Sequence, residues 1–235
     1  MDIHKPKPWR GLPEFLKEIG TIVLGVLIAL GAEQAVEAYH WHEVVGDERQ
    51  ALRAEIGGIR SAILARLELE PCYTERLAEV KEVIRRQDEG KSLGIAGPMG
   101  RPLYPPTPRS TWDLAVADQS LSHMKLAEKR RFMDAYTWVS IYEAITGDER
   151  TAWRSLQVLN HASALTVADW SQVRKDYEQA TETDAIVTGN ARQLLKPLED
   201  LQVSAESASV RHAPPVEAFC KPMQAQGSKA HAAVD

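Results

Sequence analysis

"EIGTIVLGVLIALGAEQAVEAYHWHE", residues 18–43, is the stretch whose reading decides the architecture. The fourteen residues 19–32 carry no charge. As helix, at 1.5 Å per residue, they cover about 21 Å, short of the ~30 Å hydrocarbon layer of a bilayer. The flanks lengthen the run. Phe15 and Leu16 precede Lys17 and Glu18, and a lysine stem can lie along apolar surface while its amine reaches water. Ala35, Val36 and Ala38 continue the helix past Glu33 and Gln34. Trp9 and Phe15 stand before the run, Tyr39 and Trp41 after it, in the manner of an interfacial aromatic belt. From Phe15 to Trp41 a helix is about 39 Å long, close to a bilayer with its headgroups. The expectation is one transmembrane helix over residues 15–38.

Two other readings compete. A buried helix of a soluble core would carry more polar residues than the single Thr21. A cleaved signal peptide could use Ala29-Leu30-Gly31 as its small-x-small site, but Asp2, Glu14 and Glu18 are foreign to a signal n-region. The helical pattern also runs on without a turn residue. Basic residues set the orientation: Lys5, Lys7, Arg10 and Lys17 precede the span, and none follows until Arg49. By the positive-inside rule residues 1–14 are cytoplasmic and the bulk of the chain is periplasmic, anchored in a bacterial inner membrane. Within the span Thr21, Gly25 and Ala29 recur every fourth residue, a small-x-x-x-small face that admits a second helix closely, and Glu33 extends the row. The competing account is ordinary span composition, which is rich in small residues anyway.

The rest of the chain reads as helices. Val45, Leu52, Ile56, Ile59, Ile63 and Leu67 form an apolar stripe at helical spacing. Gly57-Gly58 interrupts it and predicts a bend. Pro71 marks a break before a second helix with Leu77, Val80, Val83 and Ile84, so residues 39–89 are expected to form a juxtamembrane helix and a helical hairpin. A self-associating coiled coil is the alternative use of the same stripes. Residues 90–109, "GKSLGIAGPMGRPLYPPTPR", hold too many glycines and prolines for regular structure and form a long loop. Residues 110–203 are expected to be a helical bundle. Helix starts are signalled at Ser110-Thr111-Trp112-Asp113 and at Thr166-Val167-Ala168-Asp169. Gly147 bends or ends the helix that starts near Leu126, the pattern resuming through Trp153, Leu156 and Leu159, and Pro197 limits the helix that starts at Thr166. Residues 204–235 are an extended tail, rich in Ala, Ser, Gln and Pro. No period-two stretch of useful length occurs, so the fold class is all-α.

Composition excludes little beyond nucleic acid. The 235 residues are 26% charged with net charge −5, which provides no basic footprint. Catalytic signatures are weak. Gly90-Lys91-Ser92 ends like a phosphate loop, but position 85 is Arg where a glycine is needed, and a helix precedes it. His40 and His42 point about 160° apart on a helix. Glu37-x-x-His40 has the form of a di-iron half-site, yet no second Glu-x-x-His exists to complete one. Lys129-Arg130-Arg131 reads as a solvated helix face. No enzyme activity, metal or other cofactor is therefore expected. Cys72 and Cys220 lack metal spacing. Each adjoins a proline break, and in an oxidising compartment they are expected to pair as a disulfide fastening the tail. Two free thiols are the alternative.

Taken together, "FLKEIGTIVLGVLIALGAEQAVEAYHW", "EPCYTERL", "TWDLAVADQSLSHM" and "FCKP" resemble an uncharacterised group of bacterial single-pass membrane-anchored helical proteins. That resemblance implies the topology above and transfers no catalytic residue. The functional expectation is an accessory or scaffold protein. It would hold the lipid bilayer and either a membrane or periplasmic protein partner or a second copy of itself, through span and exported domain. A periplasmic ligand-sensing module is the alternative, and an enzyme is less favoured.

Overall fold

A computed structural model describes residues 11–204 and 214–224. The molecule is all-helical. Among the described residues six α-helices follow in order: α1 Leu12–Glu68, α2 Glu70–Asp88, α3 Ser110–Ala117, α4 Leu126–Ser155, α5 Val167–Glu199 and α6 Pro214–Cys220. Short 3-10 segments lie at Ser120–Ser122 and Leu156–Ala164. Among the described residues there is no strand, only an isolated antiparallel bridge between Ile95 and Gln224.

Two core clusters, stacked along one bundle, explain how the long helices run. The first joins Leu52, Ile56, Ile59 and Ile63 of α1 to Phe132, Tyr136 and Val139 of α4 and to Val187, Ala191, Leu194 and Leu198 of α5. The second joins Tyr73, Leu77, Val80 and Val83 of α2 to Trp153, Leu156 and Leu159 and to Trp170, Val173 and Ala180 of α5. Thus α1 followed by α2 runs from the first cluster to the second, α4 runs the same way, and α5 returns. The apolar stripe read from α1 is the buried one: Leu52, Ile56, Ile59 and Ile63 are all fully buried.

That order corrects the hairpin expected at Pro71. The single residue Leu69 joins α1 to α2 with φ −88° and ψ −3°, still in the right-handed helical region. Its amide donates to Ala65 O, and the amides of Cys72 and Tyr73 donate to Leu69 O. Proline at the first turn of a helix gives up an amide that has no intrahelical acceptor anyway. The chain therefore bends at Leu69 without reversing.

Gly57-Gly58 lies inside α1, which continues through it to Glu68; a Cβ on Gly57 would stand 3.0 Å from Ser204 O and 3.2 Å from Val203 Cγ1. The glycine there permits a close crossing by the chain that leaves α5. Helix α4 passes through Gly147 to Ser155, and α5 keeps Pro197 in its last turn. The tail is not wholly extended, because α6 buries Val216 and Phe219, and Met223 just beyond it is buried too.

The two helix-start signals meet different fates. At Thr166 the capping box is complete: the Asp169 amide donates to Thr166 Oγ1, and the Thr166 amide donates to Asp169 Oδ2. At Ser110 the helix begins where expected, but its cap comes from elsewhere. Glu55 of α1 accepts from the Thr111 amide at 2.9 Å and from Ser110 Oγ at 3.2 Å. The other carboxylate oxygen of Glu55 accepts from Tyr136 Oη at 2.6 Å, and Trp112 stacks on that tyrosine ring. One carboxylate thereby ties α1, α3 and α4 together.

Candidate functional site

The apolar half of α1 is uncovered. It is long and apolar enough to cross a membrane, and no residue of its most apolar window is buried. That exposure removes the reading as a soluble core helix. Ile22, Leu24, Leu27, Ile28 and Leu30 are all at least half exposed. The small-residue face is open in the same way. Thr21, Ala29 and Glu33 are exposed, and nothing lies within 4 Å of where a Gly25 Cβ would be. Thr21 Oγ1 donates back to Lys17 O at 2.9 Å, so its hydroxyl is satisfied within the helix.

Of the aromatic anchors, Trp9 lies outside the described residues, as do Lys5, Lys7 and Arg10. Phe15 is half-buried, and Tyr39 is exposed with its hydroxyl donating to Glu43 Oε1 at 2.8 Å. Trp41 does something the sequence did not show: it stacks face to face on His123, with centroids 3.7 Å apart. That contact brings the turn before α4 down onto the base of the exposed half of α1. Beside it opens a groove of about 990 Å³ between α1 and the start of α4, reached by Glu37, His42, Arg53, Lys125 and Arg131. Arg49 and Glu128 close one wall as a two-point ion pair, with bonds of 2.6 and 3.0 Å. That bond draws the Glu128 carboxyl below its usual pKa. Arg131 therefore belongs to a groove as well as to a solvated face. Glu37 and His42 share the groove, but among the described residues no group of three or more His, Cys, Asp or Glu side chains could hold a metal ion.

Further along, the bundle encloses a charged network. Arg66 of α1 is 1% exposed and donates from Nη2 to Glu149 Oε1 of α4 at 2.7 Å and to Asp184 Oδ1 of α5 at 2.6 Å. Its guanidinium lies 3.7 Å over the ring of Tyr73. One cation faces two carboxylates in a space with little water, so a full set of charges would leave a net negative charge buried. Burial pushes the Glu149 carboxyl up to about 7 against the pull of Arg66, and neighbouring Asp184 adds to the rise. The proton on Glu149 is shared with Asp184 in a hydrogen bond, which raises Glu149 further and offsets part of the rise that burial gives Asp184. The arrangement holds three helices in register.

A second buried arginine holds the tail. Arg76 of α2 donates to Pro98 O, Phe219 O and Lys221 O, at 3.2, 2.7 and 2.5 Å. Glu79, one turn on, accepts from the Met223 amide at 2.9 Å. Against this clamp Cys72 and Cys220 join as a disulfide, with sulfurs 2.05 Å apart. The pairing read from the sequence is the one present.

Sequence reasoning passed over Arg66, Arg76, Glu149 and Asp184. The signal was there: each occupies a position in an apolar stripe, as Arg66 does after Ile59 and Ile63, or Asp184 between Ala180 and Val187. A charge on the core face of a helix needs a partner from another helix.

A scan of protein-family models, a search of curated proteins and a search of solved structures each found no match for the chain.

Proposed function

We propose that the chain is a single-pass, membrane-anchored scaffold that holds a partner through its span and its exported helical domain, with no catalytic step of its own. One observation carries this reading: the exposed apolar half of α1 and its packed half are a single helix of 57 residues with no intervening loop. A leader or a tether needs no such continuity, whereas a scaffold that presents a domain at a fixed height and angle does. The basic residues ahead of the span favour a cytoplasmic N-terminus, which puts the bundle in the periplasm of a bacterial inner membrane. The disulfide suits that compartment, since such bonds persist outside the reducing cytosol. The uncovered face of Thr21, Gly25, Ala29 and Glu33 is the surface offered to another membrane helix, whether of a partner or of a second copy.

The test has two arms. A reporter fused after Asp235 should behave as periplasmic and one placed before Lys5 as cytoplasmic, and the intact mass of the purified protein should include residues 1–38. A cytoplasmic C-terminus, or loss of the span by cleavage, would end the reading. In mild detergent, chains that co-purify should be lost from the double variant Gly25→Leu/Ala29→Leu, which blocks close approach while keeping the span apolar. Unchanged association would remove the small face from the account. A ligand-sensing module is the second reading, favoured by a cavity walled by residues of the 90–109 loop and of α4.

A further inference from the structure

Residues 91–109 have no helix or strand of their own, yet side chains fix them to the bundle at several points. Tyr73 Oη donates to Leu103 O at 3.0 Å, Gln157 Nε2 to Gly100 O at 2.6 Å, and the Met99 amide to Asn160 Oδ1 at 2.8 Å. Where this segment crosses the end of α4 the two enclose a cavity of about 330 Å³. Arg101, Pro102 and Tyr104 come from the segment. Arg150, Trp153 and Arg154 come from α4, at the three- and four-residue spacing that puts them on one helix face.

The chemistry of that lining is one-sided. Three arginines border the cavity and no acidic side chain does, in a chain whose net charge is −5. Arg101, Arg150 and Arg154 are exposed at their surface ends, and none has a carboxylate partner among the described residues. Like charges at Arg150 and Arg154, four apart on a helix, repel. The Arg150 guanidinium sits 5.0 Å over the Tyr104 ring, which orients it without neutralising it. The rings of Tyr104 and Trp153 form the inner wall, and Trp153 is only 1% exposed. Three cations without carboxylate partners beside an apolar and aromatic wall are the complement of an anion that carries an organic group. The volume lies at the lower end of the range for small-molecule sites.

We propose that this cavity binds a small organic phosphate. The arginines take the phosphoryl oxygens, for which a planar guanidinium fork is suited. Pro102 and the rings of Tyr104 and Trp153 form the wall against which the organic part rests. The site is built from the loop, α4 and Gln157 of the 3-10 segment after it, so it stands whether or not α1 spans a membrane.

Phenyl phosphate is the probe, titrated calorimetrically into the full-length protein in detergent, with inorganic phosphate as the comparison. Phenyl phosphate should bind saturably and more tightly than inorganic phosphate. The exposed positions of the arginines let Arg150→Gln/Arg154→Gln fold normally, which circular dichroism checks. That variant should bind at least about ten-fold more weakly, the loss expected when charge-assisted hydrogen bonds are removed. Lys129→Gln/Arg130→Gln, which removes two cations from another part of α4, should bind as the parent does. No saturable binding at millimolar probe would overturn the proposal, as would equal weakening by both double variants. Equal affinity for phenyl phosphate and inorganic phosphate would overturn the organic ligand.

Discussion

The two halves of α1 share one backbone and differ in everything else. Residues 12–38 are almost entirely exposed, and their central stretch 19–32 carries no charge on any side; residues 39–68 carry one buried stripe and are polar on the other side. Helical hydrogen bonding is the same in both, so propensity cannot account for the contrast. What differs is the solvent each half is written for. On the proposed reading, the apolar half has its partner in lipid, where every backbone group must be satisfied within the helix. An amphipathic one has its partner in the other helices of the bundle. The absence of a loop between them makes the contrast useful, because an effect that starts in one half reaches the other only through the helix itself.

Truncation tests the contrast most forcefully. Ile59→Ala, in the fully buried stripe, should lower the stability of the bundle by about 2–5 kcal/mol, as removal of a buried aliphatic side chain does. Leu24→Ala, in the exposed half, should leave the thermal unfolding of the bundle where it was. If both variants melted early, the exposed half would be part of the folded core and the contrast would fail.

Acidity sharpens it next. The buried half of α1 carries Arg66, and its partner Glu149 is raised from 4.5 to about 7 in the folded protein. A folded pKa above the unfolded one adds stability in full below about pH 4.5, and that contribution is lost as pH rises through about 7. A change of at most about 3 kcal/mol is expected across this window, discounted by relaxation of the pair. Melting curves should therefore show a bundle more stable near pH 5 than near pH 8. Glu149→Gln, which holds the site permanently neutral, should flatten most of that slope. A slope unchanged in the variant would assign it to other groups.

The smallest effect separates two adjacent glycines. Gly58 has open space where a Cβ would go, so Gly58→Ala should stabilise α1 by up to about 1 kcal/mol through helix propensity. Gly57→Ala should gain less or lose, because its methyl would press on Ser204 O and Val203. Equal gains in chemical denaturation would mean that the chain leaving α5 is not held against α1.

How much of this was legible depends on whether the relevant force was local. The exposed span, the stripe on α1 and the capping box at Thr166 are set by residues within a few turns of each other, and they read directly. The bend at Leu69 did not. Pro71 signals a break, but whether a chain then bends or reverses is decided by what the next helix packs against, and Tyr73 and Leu77 find Trp153 and Trp170 further along the bundle. The start of α3 reads as a cap of its own, while the acceptor is Glu55, 56 residues away from Thr111. Of the proposed partner surfaces, the small face of the span was legible from its four-residue repeat. The phosphate cavity was not, because Arg101 and Arg150 meet only after the loop has been laid across α4.

The disulfide decides how the protein would carry a load. Cys72 and Cys220 are 148 residues apart in sequence, and between them lie α3, α4, α5 and most of α2 and α6. A pull between the N-terminal span and the C-terminal end would travel along α1, through Leu69 to Cys72, across the sulfur bridge to Cys220 and out. The enclosed helices hang beside that line like a loop tied off from a taut rope. Tension on the ends would strain α1 and the last residues of the chain, while the α4–α5 pair bore none of it directly through the backbone. Cutting the bridge with a reductant would reroute the same pull through every helix in turn.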